Sequence, residues 1–309
     1  MVERIKKKIL ASAPVQFILT LSKQLVIPGF EGMPLYDVSS FFLKGIQNGS
    51  ITTRASSLAF KFFLAIFPSI IFLITLIPYI PIDDFQDQLL ILLRDILPKN
   101  AYEATRETFE DLVKHQRGDL LSFGFFFALY LATDGIHAMI SAFNKSNQSI
   151  ETRSMWKIRG ISVALVFILT FLILIAITLI VFSEVALDYL VSKHLLVDSF
   201  TISLLLIGKW LIILGLFFCA FSFLYYLGPD QKLKWKFISA GSTFATLLSI
   251  VASLCFSFYV NHFGNYNKLY GSIGTLIVIM LWIYFNAIII LLGFELNASI
   301  HSAKLKRSI

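Results

Sequence analysis

The sequence predicts an all-α, polytopic membrane protein with six transmembrane helices, and three observations carry that prediction. First, six long apolar segments recur along the 309 residues: roughly Leu58–Ile80, Leu120–Phe143, Ile161–Phe182, Ile202–Leu227, Phe237–Val260 and Ile273–Ser299. Each exceeds the about 20 residues a helix needs to cross the hydrocarbon core. Second, the chain is 57% hydrophobic and only 15% charged, with mean hydropathy +0.79. A soluble domain is about 45–50% apolar and about 25% charged. Third, the basic residues fall on one side. With a cytoplasmic N-terminus, seven Lys and Arg precede the first span, four surround the second-to-third connection, three lie in 232–236 and three in the tail. The opposite side holds seven. The positive-inside rule therefore places both termini in the cytoplasm.

The elements follow in chain order. Residues 1–57 form an arm before the first span. Its basic start and Pro14 do not make a signal peptide, because Ala11-Ser12-Ala13 precedes the apolar stretch instead of ending it. Leu35, Val38, Phe42 and Ile46 recur at helical spacing beside Lys44, which predicts an amphipathic helix on the membrane surface. The transmembrane domain takes residues 58–301, and 302–309 is a basic tail. Pro68 lies near the middle of the first span, where it frees the carbonyl of Leu64 and kinks the helix. The outer loop, 82–119, reads as two short amphipathic helices. Phe85, Leu89, Leu92, Leu93 and Ile96 share one face, and Pro98 ends it. Asn100 and Glu103 then form a capping box for a second helix with Phe109, Leu112 and Val113 on its apolar side. The fifth span carries small residues at fours: Gly241, Ala245, Ser249, Ser253 and Ser257. In lipid such residues let backbones approach, so this helix is expected at the centre, with Gly271 and Gly274 opening the sixth span in the same way.

Charges inside spans are costly and mark functional candidates. Lys61 and Lys209 lie within about two turns of their apolar segments' ends, where a long side chain snorkels to the interface. Glu295 lies about a turn from the end of its segment and is expected to pair with Arg54 or Arg159. Asp134 sits deeper, with His137 on the same face. A short carboxylate at that depth is neutral, paired or in contact with water. Asn286, near the middle of the sixth span, is a candidate partner. Asp134, His137, Lys61, Lys209 and Asn286 are thus the candidate substrate or ion pathway.

Other classes lose support. Cys219 and Cys255 both lie in apolar spans and supply neither a disulfide framework nor a four-ligand metal site. The five histidines are scattered, and no Walker loop, nucleophile elbow or HExxH occurs. No cofactor or metal is expected. The net charge of +7 is concentrated on one membrane side, which fits anionic lipid headgroups better than nucleic acid.

Several stretches resemble one family. Arg54-Ala55-Ser56-Ser57-Leu58-Ala59-Phe60 with Phe67-Pro68, Asn144 with Trp156-Lys157-Ile158-Arg159-Gly160, and Tyr270-Gly271-Ser272-Ile273-Gly274 resemble the YihY/BrkB membrane-protein family. Leu281-Trp282-Ile283-Tyr284 and Gly293-Phe294-Glu295-Leu296-Asn297 extend the resemblance, which covers roughly residues 45–300 in order. Lys61 departs from the pattern, where an aromatic is usual. The resemblance implies a six-helix bacterial inner-membrane protein. Members have carried ribonuclease and virulence labels. The first conflicts with the missing catalytic constellation, whereas envelope lipid export or transport suits the body. The leading expectation is a transporter or lipid-handling protein, the alternative a non-transporting scaffold, and ribonuclease activity is the least expected. Homo-oligomers are compatible with the small-residue ladder.

Overall fold

A computed structural model describes residues 13–48, 50–79, 110–146, 151–193, 199–230, 236–263 and 272–308, with positions 86, 87, 90, 106 and 107. Among these the chain is helical and has no strand. The helices are α1 (Ala13–Gln24), α2 (Leu35–Asn48), α3 (Ile51–Leu76, ending in the 3-10 turn Ile77–Tyr79), α4 (Gly118–Ser146), α5 (Met155–Ser192), α6 (Ser199–Leu227), α7 (Ala240–Phe263) and α8 (Ser272–Ser308). Six of them, α3 to α8, are long and apolar enough to cross a membrane. In the outer loop, positions 86, 87, 90, 106, 107 and 110–114 are helical and 115–117 are not, before α4 begins at Gly118. Phe85, Leu89, Leu92, Leu93, Ile96, Pro98, Asn100, Glu103, Phe109, Gly271 and the first twelve residues lie outside the described residues.

Five of the six spanning helices outrun the apolar runs that predict them, and α7 is instead displaced by three residues, Ala240–Phe263 against Phe237–Val260. Helix α3 starts at Ile51 rather than Leu58, because Ser50, with φ 47°, sets the start and accepts the first helical bond from Arg54 N at 3.1 Å. No breaker separates Ile51 from Leu58, so the helix runs through the polar Thr52–Ser57 stretch and on through Pro68. Helix α8 likewise continues past Ser299 to Ser308, taking most of the expected tail into the helix, with Lys306 and Arg307 in its last turn. Cations there complement the helix dipole.

The chain divides into two compact units, residues 60–135 and residues 1–59 with 136–309. In the first, α3 and α4 pack through small positions on α4. A Cβ at Gly124 would come within 3.3 Å of the Phe72 backbone, and one at Gly135 within 2.9 Å of the Phe62 ring. Phe72 and Phe125 meet at 5.4 Å between centroids. Lipid tails are as apolar as Leu, so close backbone approach and dispersion, not expulsion of water, hold such helices together.

In the second unit, α7 crosses α8 where Gly241 and Ala245 face Gly293 and Asn297. A Cβ on Gly241 would overlap the Gly293 carbonyl oxygen, and one on Gly293 would overlap the Tyr225 hydroxyl. The Gly241 amide donates to Asn297 Oδ1 at 2.8 Å. Gly241, Ala245 and Ser249 are buried, but Ser253 and Ser257 are exposed. The small-residue ladder therefore packs only along its first two turns. Beyond them the described part of α7 turns these serines outward beside Leu254 and Phe258. Gly274 is buried at the start of α8. Phe143 stacks on Phe294 at 4.2 Å, and Tyr225, fully buried beside them, donates its hydroxyl to the Ile290 carbonyl at 2.9 Å.

The arm's apolar face is turned to protein. Val38 of α2 packs with Phe30, Met33, Ile300 and Ala303, so α2 docks along the end of α8 rather than lying on lipid by that face. The turn from α1 to α2 makes this docking possible. Gly29 (φ 93°) and Gly32 (φ 81°) take the left-handed conformations that bring Phe30 and Met33 inward. Between them Glu31, at φ 51°, accepts from Lys304 at 2.6 Å and pairs with Lys236 at 3.2 Å. The bond from Lys304, with a smaller share from Lys236, holds the Glu31 carboxyl below its ordinary pKa despite partial burial.

Candidate functional site

The deepest charged group predicted from sequence has a partner. Lys61 Nζ of α3 donates to Asp134 Oδ2 of α4 at 2.7 Å, within the unit formed by residues 60–135. Because α3 starts at Ile51, Lys61 lies ten residues, about 15 Å at helical rise, from the helix start. The ammonium turns to Asp134 instead of towards the helix end, so the expected snorkelling gives way to an ion pair between two helices long and apolar enough to span a membrane. A lone charge at the helix centre costs about 2.5–3.5 kcal/mol on insertion scales. Pairing removes much of that cost and fixes both side chains.

The pair is not sealed. The Lys61 side chain is 33% exposed and that of Asp134 31%. It also continues an apolar stripe. On α4, Phe123, Phe126, Phe127 and Tyr130 are exposed and recur at i, i+3, i+4 and i+7, and Asp134 is the next position on that face. On α3, exposed Phe60, Leu64 and Phe67 flank Lys61. A charged pair at the end of an aromatic stripe can hold the polar part of an amphiphile while the stripe takes its apolar part.

The other candidates fall elsewhere. His137 follows one turn along α4 and is half-buried; its carbonyl accepts from Ser141 Oγ at 3.1 Å. Asn286 donates to the Trp282 carbonyl one turn back on α8 at 2.8 Å, a bond within its own helix. Lys209 is 8% exposed, with its ammonium 5.9 Å from the Trp210 ring centre. Packing on α6 thus encloses a lysine that the sequence reading sends to the interface.

A second charged node is buried. Arg54 Nη1 donates to the Ala142 carbonyl at 2.8 Å, and Nη2 stands 3.9 Å from Glu295 Oε2. Their side chains are 10% and 5% exposed. Glu295 is followed by roughly three further turns of helix, since α8 runs on to Ser308. Gly45 of α2 sits against its carboxylate, and a Cβ there would overlap Oε1. Arg159, the other expected partner, is half-buried on α5. A third network, missed in the sequence, ties the α4–α5 connection to the end of α6. Arg153 Nε and Nη2 donate to Glu151 at 2.7 Å each, and Nη2 also to the Gly228 carbonyl at 2.9 Å. Asn144 Nδ2 donates to Glu151, and the Thr152 amide to Asp230 Oδ2 at 2.9 Å. The bonds from Arg153 pull the Glu151 carboxyl below its ordinary pKa. The alternation of acid, hydroxyl and base in Glu151-Thr152-Arg153-Ser154 just before a helix was the available signal. Among the described residues no group of three His, Cys, Asp or Glu is placed to hold a metal ion.

The family model for virulence factor BrkB matches residues 42–308. The chain belongs to that family. The match includes both members of the Lys61–Asp134 pair and of the Arg54–Glu295 node. A BrkB relative, the putative ribonuclease-like protein YfkH of Bacillus subtilis, is 34% identical over 82% of this chain and 90% of its own length. A UPF0761 membrane protein of Tolumonas auensis is 26% identical over 88% of this chain and 87% of its own. No solved structure matches the fold.

Proposed function

We propose that this BrkB-family protein moves or handles amphiphilic lipids in the bacterial inner membrane, with both termini in the cytoplasm. The Lys61–Asp134 pair is the headgroup contact. The carrying observation is that pair's setting: a hydrogen-bonded ion pair some three turns inside a spanning helix, one-third exposed, and aligned with an exposed aromatic stripe. Intramembrane charges cluster on substrate or ion paths and in helix-to-helix contacts. Exposure favours the path, because a purely structural pair gains by being enclosed. The side that carries Lys236, Lys304, Lys306 and Arg307 suits anionic headgroups of the cytoplasmic leaflet. The name of YfkH raises a nuclease reading for that relative. Here the cationic groups are distributed as topology signals, which supports membrane orientation over RNA contact.

The test is native mass spectrometry of the full chain in mild detergent, wild type against Asp134→Asn. The proposal expects stoichiometric lipid on the wild type and less on the variant. Protein that folds, carries no lipid and binds a second membrane protein instead would replace this reading with the scaffold.

A further inference from the structure

We infer that Lys236, Lys304 and Arg307 form a second lipid site, which takes the phosphate of an anionic headgroup in competition with Glu31 of the arm; this rests on the cytoplasmic placement in the reading above and not on Lys61–Asp134. Glu31 holds both lysines with one carboxylate. Its Oε2 accepts from Lys304 Nζ at 2.6 Å, and its Oε1 stands 3.2 Å from Lys236 Nζ. Arg307 Nη1 reaches the neighbouring Gly32 carbonyl at 3.5 Å, a long bond that engages little of the guanidinium. Three cations, from the stretch before α7 and the last turns of α8, thus converge on one acidic turn. Their single carboxylate partner among the described residues leaves a net positive charge even with the arm in place. A phosphate offers what Glu31 offers, anionic oxygens spread on one small centre, and also matches a guanidinium in two parallel bonds.

The cations are open to a ligand. The side chains of Lys236 and Lys304 are 70% and 55% exposed, against 27% for Glu31. Lys304 and Arg307 stand at i and i+3 on α8, beside Ile300 and Ala303, against which Phe30 and Met33 of the turn pack. Both follow the end of the apolar run at Ser299 by roughly one to two turns. A spanning α8 meets lipid phosphates at that level, just past the hydrocarbon core. The turn is also built to let go. Glu31 has φ 51°, a left-handed conformation that costs a residue with a Cβ steric energy and persists where contacts impose it. Its two charge contacts supply that hold. Gly29 and Gly32, at φ 93° and 81°, give the turn freedom to rearrange once they are gone. The released carboxylate passes into water, so no charge is left buried. Phosphatidylglycerol carries the anionic phosphate this site requires, whereas the phosphate of phosphatidylcholine is offset by its own cation.

The experiment is a lipid titration of the purified full chain. Protein in phosphatidylcholine mixed micelles receives a rising mole fraction of phosphatidylglycerol. Bound phosphatidylglycerol is counted by native mass spectrometry, and hydrogen exchange is followed at residues 29–33. In the wild type, phosphatidylglycerol should bind and speed exchange in the turn. Glu31→Gln removes the competitor and keeps the cations, so the half-saturating mole fraction should fall about fivefold, the scale of two exposed ion pairs. Lys236→Gln with Lys304→Gln should raise it by about tenfold or more. Both variants break the same ion pairs, so a clasp that only holds the arm would move them in the same direction; opposite shifts are specific to competition. Inorganic phosphate added without phosphatidylglycerol should leave the turn unchanged, and exchange speeded by it alone would assign the site to a soluble phosphate and overturn the lipid. Wild type that takes up no phosphatidylglycerol, or a Glu31→Gln variant that binds it no better, overturns the inference and leaves lipid handling at Lys61–Asp134 standing. Lipid retained equally by the wild type and Asp134→Asn, with the Glu31→Gln shift present, overturns that reading and leaves this site standing.

Discussion

Gly241→Ala offers a sharp test of the packing, because a single methyl group meets backbone. The added Cβ would overlap the Gly293 carbonyl oxygen and lie 2.6 Å from Asn297 Cγ. The first of these belongs to the α8 main chain, which cannot swing aside like a side-chain tip. Relief requires α7 and α8 to separate, which also stretches the Gly241 N–H to Asn297 Oδ1 bond of 2.8 Å. Overpacking of this kind costs about 1–3 kcal/mol, and loss of one hydrogen bond adds about 1 kcal/mol. Alanine's better helix propensity returns up to about 1 kcal/mol. The net loss is thus about 1–3 kcal/mol. Gly215→Ala on α6 is the matched control. No atom lies within 4 Å of its added Cβ, so only the propensity gain remains. The two variants should differ by about 2–4 kcal/mol on these figures. Titration with a denaturing detergent in mixed micelles, followed by tryptophan fluorescence, reads that gap. Equal midpoints for the two variants would refute the claim that α7 and α8 touch through Gly241.

Other outcomes follow from the charged nodes and the arm. Asp134→Asn should lower stability by about 1–3 kcal/mol, less than the 3–5 kcal/mol of a fully buried pair because a third of each side chain is exposed; the charge-swapped double variant should recover most of it in the same titration. Gly45→Leu should drive α2 away from the Glu295 carboxylate, read as faster hydrogen exchange across residues 35–48 with the spans unaffected. Glu31 has a folded-state pKa below the ordinary 4.5 because Lys304 and Lys236 face it. Its contribution to holding the arm is therefore complete above that ordinary value and fades as pH falls through the lower, folded one. Acidification through this window should loosen the arm in the wild type. Glu31→Gln should show a looser arm with no such dependence, by protease accessibility of the α1–α2 turn.

Hydropathy made the six spans legible because the bilayer demands a fixed length of apolar chain, and no tertiary contact is needed to see it. Helix ends were less legible, since Thr52–Ser57 and the stretch after Ser299 are polar yet continue helices by backbone bonding alone. The α2 periodicity was plain, but its destination was not. An apolar face looks the same whether it meets lipid or Ile300 and Ala303, and the glycines at 29 and 32 that turn it inward act through φ angles. Asp134 stood out by its depth, whereas its partner did not: a lysine one turn from the end of an apolar run reads as snorkelling, and only the contact between α3 and α4 turns it to Asp134. Gly45 and Asp230 gave no local signal, because their roles exist only where distant helices meet.

Reconstitution into vesicles gives the most direct measurement of the central claim. Purified protein is incorporated with a trace of headgroup-labelled phospholipid, a proton gradient is imposed, and a membrane-impermeant reductant bleaches label in the outer leaflet. Lipid handling at Lys61–Asp134 predicts bleaching well beyond the outer half of the label with wild type, and bleaching confined to that half with Asp134→Asn or Lys61→Gln. Wild-type vesicles that bleach no further than protein-free vesicles, with the gradient in either direction, would contradict it.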